Sequence, residues 1–171
     1  MGIEQVRQFL AMRGSAIDVM EMKCSTATVD DAATAFGVTP GQIAKTLALR
    51  LADGSVAIVV AAGNMRLDNK KCRHYFGGKI QMLGLDEVEA VTGHPVGGVC
   101  PFGLREPFPI YLDLSLQGYA TVYPAAGATN AAVCIAPDIL RTLVGGIWAD
   151  LCRAPDPTHI VSESTHFYGY L

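Results

Sequence analysis

The chain has 171 residues, half of them hydrophobic and 17% charged, with a formal net charge of −3. A chain this long and apolar buries a sizeable core without disulfides or metals, and intrinsic disorder, which goes with few apolar residues and high net charge, is excluded. The acidic balance gives no global sign of nucleic-acid binding, so only a local basic patch is left to look for.

Ile3, Val6, Phe9 and Leu10 recur at helical spacing and Gly14 closes the segment, which predicts an amphipathic helix over residues 2–13. Residues 17–22 read as a short strand. Thr28 is placed to cap a helix, with Asp30 and Asp31 in its first turn and Gly37 as its stop. Pro40-Gly41 opens a short helical turn. Residues 46–51 and 55–61 are apolar runs separated by Asp53-Gly54, a pair that tolerates positive φ, and they predict an antiparallel hairpin. Residues 67–75 and 86–91 read as helices, with a breaker-rich loop over 93–103. Residues 109–114 and 119–123 read as strands around a Gln117-Gly118 turn, and 130–135 as another. Pro137 opens a last helix that ends at Val144. Strands and short helices that alternate irregularly predict an α+β fold with a mixed or antiparallel sheet, not a doubly wound parallel one. One domain is expected over residues 1–171, with its core at about 15–150 and a C-terminal tail over 151–171 that from Arg153 packs loosely or crosses to another subunit.

The five cysteines include no CxxC pair, and His74, His94, His159 and His166 form no His-x-x-x-His pair. No disulfide framework, metal site or cofactor is therefore expected, and reduced thiols fit a cytoplasmic protein. Residues 1–10 lack the apolar core of a signal peptide, and the run 56–62 is far shorter than the ~20 residues of a membrane span. The loop 93–103 holds four glycines and two prolines. Such a loop lets backbone approach a ligand closely and aims N–H groups into an anion or oxyanion site; a plain surface turn is the alternative. Lys45, at the lip of an apolar strand, places an ammonium beside a pocket or is merely a solvated strand end. Residues 125–130 form a small-residue loop that floors a tight pocket or is a plain turn. Arg66, Lys70, Lys71, Arg73 and Lys79 gather in fourteen residues, as a solvated helix face or as a phosphate-contacting surface.

Lys45-Thr46-Leu47, the run Gly97-Gly98-Val99-Cys100-Pro101-Phe102-Gly103-Leu104, Ala126-Gly127 before a strand, and Ala136-Pro137-Asp138-Ile139-Leu140 resemble the YbaK/EbsC and prolyl-tRNA-editing-domain family in order and spacing. The resemblance implies a mixed, mostly antiparallel sheet, partly closed and flanked by short helices. It implies a free-standing deacylase of tRNA carrying a wrong small amino acid, most often tRNA for proline. Aminoacyl-tRNA is then the partner, with prolyl-tRNA synthetase as a second, and the protein is a monomer or homodimer away from membranes. Lys45, Gly97 and Gly98 take the catalytic positions. Thr46, Cys100, Pro101, Phe102, Gly103, Gly127, Thr129 and Asn130 fall on the substrate side. Arg66, Lys70, Lys71 and Arg73 are candidates for tRNA contact. Ala132 stands where YbaK carries an aspartate, so cysteine specificity of that type does not carry over. Backbone amides of the 97–103 loop are expected to hold the oxyanion, with Lys45 on the acylated ribose or its phosphate and water oriented by the substrate itself. The rivals are a Cys100 thiol nucleophile near His94 and a non-catalytic module that binds tRNA or a synthetase.

Overall fold

The computed structural model describes residues 2–156. In chain order the elements are α1 (Ile3–Met12), β1 (Met20–Glu21), α2 (Val29–Phe36), β2 (Ile43–Arg50), β3 (Val56–Ala62), β4 (Arg66–Leu67), α3 (Asn69–Phe76), β5 (Gln81–Met82), α4 (Leu85–Thr92) and β6 (Ile110–Asp113). They continue as β7 (Tyr123–Pro124), β8 (Ala131–Ala132), α5 (Pro137–Val144), β9 (Ile147–Ala149) and β10 (Cys152–Arg153). Local chemistry sets several boundaries. The Thr28 hydroxyl accepts from the Asp31 N–H at 3.1 Å to cap α2, and Gly37 ends that helix with φ 67°. Asp68 caps α3 by accepting from the N–H groups of Lys70 and Lys71.

The main sheet runs β5-β2-β3-β6-β9, with β7 parallel to the start of β2. β2 and β3 form the foreseen hairpin, an antiparallel ladder from Ala44↔Ala62 to Arg50↔Val56. β5 pairs with the end of β2 and β7 with its beginning, so the two share one edge of β2. Two small antiparallel pairs, β1–β8 and β4–β10, complete the described strands. The result is α+β with a mixed sheet in which antiparallel pairing dominates, as expected.

Side chains alternate across a strand. Ala44, Ala48, Ile58, Val60 and Leu112 therefore join the larger core with Val6, Leu10, Cys100 and Phe102. Leu47, Leu49 and Val59 face a smaller core with Cys72 and Leu151. Because both faces are covered, β3 reads as one continuous apolar run.

Three expectations are corrected. The strand over 119–123 shrinks to β7, because Asp113 accepts from the Ser115 N–H at 3.0 Å and starts a 3₁₀ turn over Leu114–Gly118. β6 and β7 then take different partners, β6 pairing in parallel with β3 and β9. β8 covers only part of 130–135. The tail does not begin loose, since Cys152 and Arg153 pair with Leu67 and Arg66. The remainder of the tail, with His159 and His166, lies outside the described residues.

Candidate active site

Three loop segments meet beside β2: residues 24–28 before α2, the glycine-rich loop after α4, and the small-residue loop between β7 and β8. The Thr26 N–H and hydroxyl both donate to Thr129 O, and the Asn130 side chain donates to Met22 O at 3.0 Å. Gly97 has φ 82°, and a Cβ there would stand 3.0 Å from the Ala27 methyl and 3.1 Å from a Thr129 methyl. A Cβ on Gly98 would sit 2.7–2.8 Å from the backbone of Ala128. Glycine is thus required so that two backbones can touch. The Gly98 N–H donates to Pro95 O at 2.9 Å, within its own loop. The Gly97 N–H has no hydrogen-bond partner among the described residues. Gly103 and Gly127 pack at the opposite end of these loops, against the backbones of Gln5 and Gly2.

The middle of the glycine-rich loop turns inward. Cys100 and Phe102 have no exposed surface, Pro101 is buried, and the Phe102 ring packs on Phe9 with centroids 5.9 Å apart. The side chains of Cys100 and Phe102 therefore face the core and not a substrate. His94 Nε2 lies 2.7 Å from Phe102 O and 3.5 Å from Cys100 Sγ. Donation to that carbonyl puts the imidazole proton on Nε2. Burial holds the imidazole below its usual range and pushes the Cys100 thiol up to about 12. The attacking species in thiol catalysis is the thiolate. Both groups are wholly buried and both donate to Phe102 O, so they brace the loop and Cys100 presents no surface to a substrate.

Lys45 is 9% exposed and is not a solvated strand end. Its ammonium donates to Gly63 O at 3.2 Å and to Met65 O. Burial lowers its pKa; Cys152 and Asp113 act to raise it and Arg66 to lower it. Lys45 and Thr46 do not share a face of β2: Lys45 falls with Leu47 and Leu49, Thr46 with Ala44 and Ala48. The Thr46 hydroxyl is buried without a partner among the described residues. The start of α2 links Lys45 to the glycine loop. Ala27 touches Gly97, and a methyl of Val29 packs where a Cβ on Gly63 would stand. The Gly63 carbonyl in turn holds the ammonium.

Charge separates two cavities. One of about 420 Å³ is lined by Glu4, Arg7, Glu21, Glu89, Gly127 and Ala128, among others. Arg7 there is paired with Glu21, so carboxylates prevail and a polyanion is repelled. The second, about 210 Å³, is lined by Asn69, Arg73, Lys79 and Ile80. Lys70 and Arg73 are exposed on α3. Lys71 instead donates to Asp150 at 2.6 Å and to Cys152 O at 2.8 Å. Arg66 lies in β4 opposite Arg153.

The sequence reading missed Gly63 and Met65, whose carbonyls hold Lys45, and Asp113 on the same sheet face. The one hint was an aspartate closing the apolar run Ile110-Tyr111-Leu112.

Fold and site define a mixed-sheet domain with a buried lysine in its central strand and a glycine-lined junction of three loops. The chain belongs to the aminoacyl-tRNA editing domain family, which matches residues 24–143. Membership puts it among hydrolases that act on aminoacyl-tRNA. It is 42% identical over 154 residues to YwhH of Bacillus subtilis (strain 168), a protein without assigned function, covering 90% of this chain and 98% of that one. It is 32% identical over 125 residues to EbsC of Enterococcus faecalis, provisionally described as a Cys-tRNA(Pro)/Cys-tRNA(Cys) deacylase, covering 72% and 76%. A crystal structure provisionally described as a trans-editing enzyme for prolyl-tRNA synthetase superimposes with TM-score 0.83 at 35% identity, covering 89% of this chain and 97% of that one.

Proposed function

We propose that the chain is a free-standing cytoplasmic deacylase that removes a small, wrongly attached amino acid from tRNA, chiefly tRNA for proline. The observation that carries this reading is an ammonium at Lys45, 9% exposed in a buried strand of an editing-family fold. Burying a charge costs several kcal/mol, on the order of the whole net stability of a domain, and such groups gather at functional sites. The names of EbsC and of the trans-editing neighbour favour the same chemistry and the link to proline. Among the described residues no helix is long and apolar enough to cross a membrane.

An aminoacyl ester is already activated, so hydrolysis needs a held water and a stabilised oxyanion. Water attacks the carbonyl carbon, the bond from that carbon to the ribose oxygen breaks, and the water proton passes to the leaving ribose oxygen. The Gly97 N–H is the available oxyanion donor, and Lys45 supplies positive charge to the acylated ribose or its phosphate. His94 is committed to Phe102 O, so the vicinal ribose hydroxyl or the substrate amine orients the water. Ala27, Gly97, Gly98 and Ala128 make a wall without bulk, which suits a small side chain.

The test is a deacylation panel. tRNA for proline and for alanine, each charged with Ala, Ser, Cys, Thr or 2-aminobutyrate, is incubated with wild type and Lys45→Ala. Wild type should release at least one of these far faster than spontaneous hydrolysis, and Lys45→Ala should lose about 10²–10³-fold, the worth of one electrostatic contact to the transition state. Charged tRNA that binds without turnover would instead make the chain a non-catalytic module.

A further inference from the structure

Asp113 closes β6 and is 2% exposed. Its Oδ2 accepts from the main-chain N–H groups of Leu151 at 2.8 Å and Cys152 at 2.9 Å, and its Oδ1 from that of Ser115 at 3.0 Å. These donors, from two segments, fix the carboxylate in one orientation.

Register aligns this carboxylate with the lysine. Lys45 stands opposite Ala61 in the β2–β3 ladder. The β3–β6 ladder pairs Ile58 with Ile110, Val59 with Tyr111 and Val60 with Leu112, so the next step sets Ala61 beside Asp113. Asp113 in turn pairs with Ala149 on β9. Lys45, Ala61 and Asp113 thus form one row across three strands, on the face that carries Leu47, Val59 and Tyr111. Strands lie about 4.8 Å apart, so roughly 10 Å separates the two outer Cα atoms, and Cys152, which donates its N–H to Asp113, also acts on Lys45.

Asp68 accepts from the N–H groups of Lys70 and Lys71 and Asp150 is paired with Lys71, and neither acts on Lys45; the thiols and the phenol on that face carry no negative charge at neutral pH. Burial pushes the Cys152 thiol far up and the Cys72 thiol up to about 11, and it raises the Tyr111 phenol. Lys71, from α3, is paired with Asp150. Arg66, from β4, adds a positive charge that opposes protonation of Lys45. Asp113 is therefore the anion that acts on the ammonium. The geometry points to Asp113 as a positioning residue of the editing site: across Ala61 it keeps the Lys45 ammonium charged and in place, and so sets the pH range of ester hydrolysis. This inference rests on the deacylase reading.

Its test reads Lys45 directly. The ε-methylene of Lys45, assigned from the spectrum of Lys45→Met, is titrated by ¹³C NMR in wild type and in Asp113→Asn. Burial already lowers the Lys45 midpoint from 10.5. Loss of the carboxylate should lower it by about one further unit, the low end of what a nearby opposite charge gives. The alkaline limb of the deacylation profile should move to lower pH by the same amount. An unchanged Lys45 midpoint in a folded Asp113→Asn would overturn the inference. If Asp113→Asn does not fold, the reciprocal measurement decides, because coupling between two sites is symmetric. The ¹³Cγ midpoint of Asp113 must then rise in Lys45→Met relative to wild type, and an unmoved midpoint refutes the coupling. Neither titration needs turnover. A wild type that hydrolyses no charged tRNA would sink the deacylase reading while these midpoints still report whether the pair is coupled.

Discussion

The His94 imidazole is wholly buried, with Nε2 bound to Phe102 O and Nδ1 without a partner among the described residues. Protonating Nδ1 would bury a charge with nothing to receive it, which is why burial holds the group below 6.5. A folded value below the unfolded one means that the unfolded chain binds more protons in between. The stability His94 contributes is present in full above pH 6.5 and is lost as pH falls through the folded value. The urea midpoint should therefore drop between pH 7.5 and pH 5, and His94→Gln should flatten that drop; an equal drop in both proteins would place the acid sensitivity elsewhere. At this scale the sequence showed which residue types were unusual and not how they were committed. Lys45 and the glycines stood out by type and spacing. That Gly98 spends its N–H on Pro95, that Cys100 faces the core, and that Asp113 shares a sheet face with Lys45 all depend on tertiary register, which no local pattern carries.

The junction of the three loops depends on backbone touching backbone. A methyl at Gly98 would fall 2.7–2.8 Å from the Ala128 main chain, and no flexible side chain is there to move aside. Gly98→Ala should therefore cost about 1–3 kcal/mol, the usual penalty of overpacking. It should also lower deacylation by displacing the Gly97 N–H. Gly118→Ala is the control, since a Cβ there meets nothing within 4 Å. Denaturant midpoints of the two variants decide: equal midpoints would mean that the loops do not need this contact. Elements with local determinants were legible in advance. The β2–β3 hairpin followed from Asp53-Gly54, α2 from its Thr28 cap and Gly37 stop, and α5 from Pro137 at its first position. β9 and β10 were not legible, and β7 was foreseen only within a longer strand. Each is two or three residues long and exists only because β2, β6 or β4 supplies its partner. Strand preference is largely a matter of such surroundings, so short pairings escape a reading of local pattern.

A protein of net charge −3 that binds RNA must concentrate its attraction. Arg73 and Lys79 line one cleft on α3 and the turn after it, with exposed Lys70 on the same helix. Carboxylates of α1, β1 and α4 line the other cavity, where a phosphate chain is repelled. Lys71 belongs to neither, because its ammonium is held by Asp150 and Cys152 O. Phosphate contacts release counterions, so each contact adds about 0.7–0.9 to the slope of log affinity against log salt. Arg73→Ala and Lys79→Ala should each raise KM for charged tRNA, reduce that slope by about one contact, and leave kcat nearly unchanged, because neither side chain touches the ester. Lys71→Ala should reduce the slope less and show its effect in the denaturant midpoint, since what it loses is a tie between α3 and the chain around β10. Binding to charged tRNA measured from low to moderate salt separates these cases. Slopes that stay the same in Arg73→Ala and Lys79→Ala would move the tRNA off α3 and leave the acceptor end held only by the groups around Lys45.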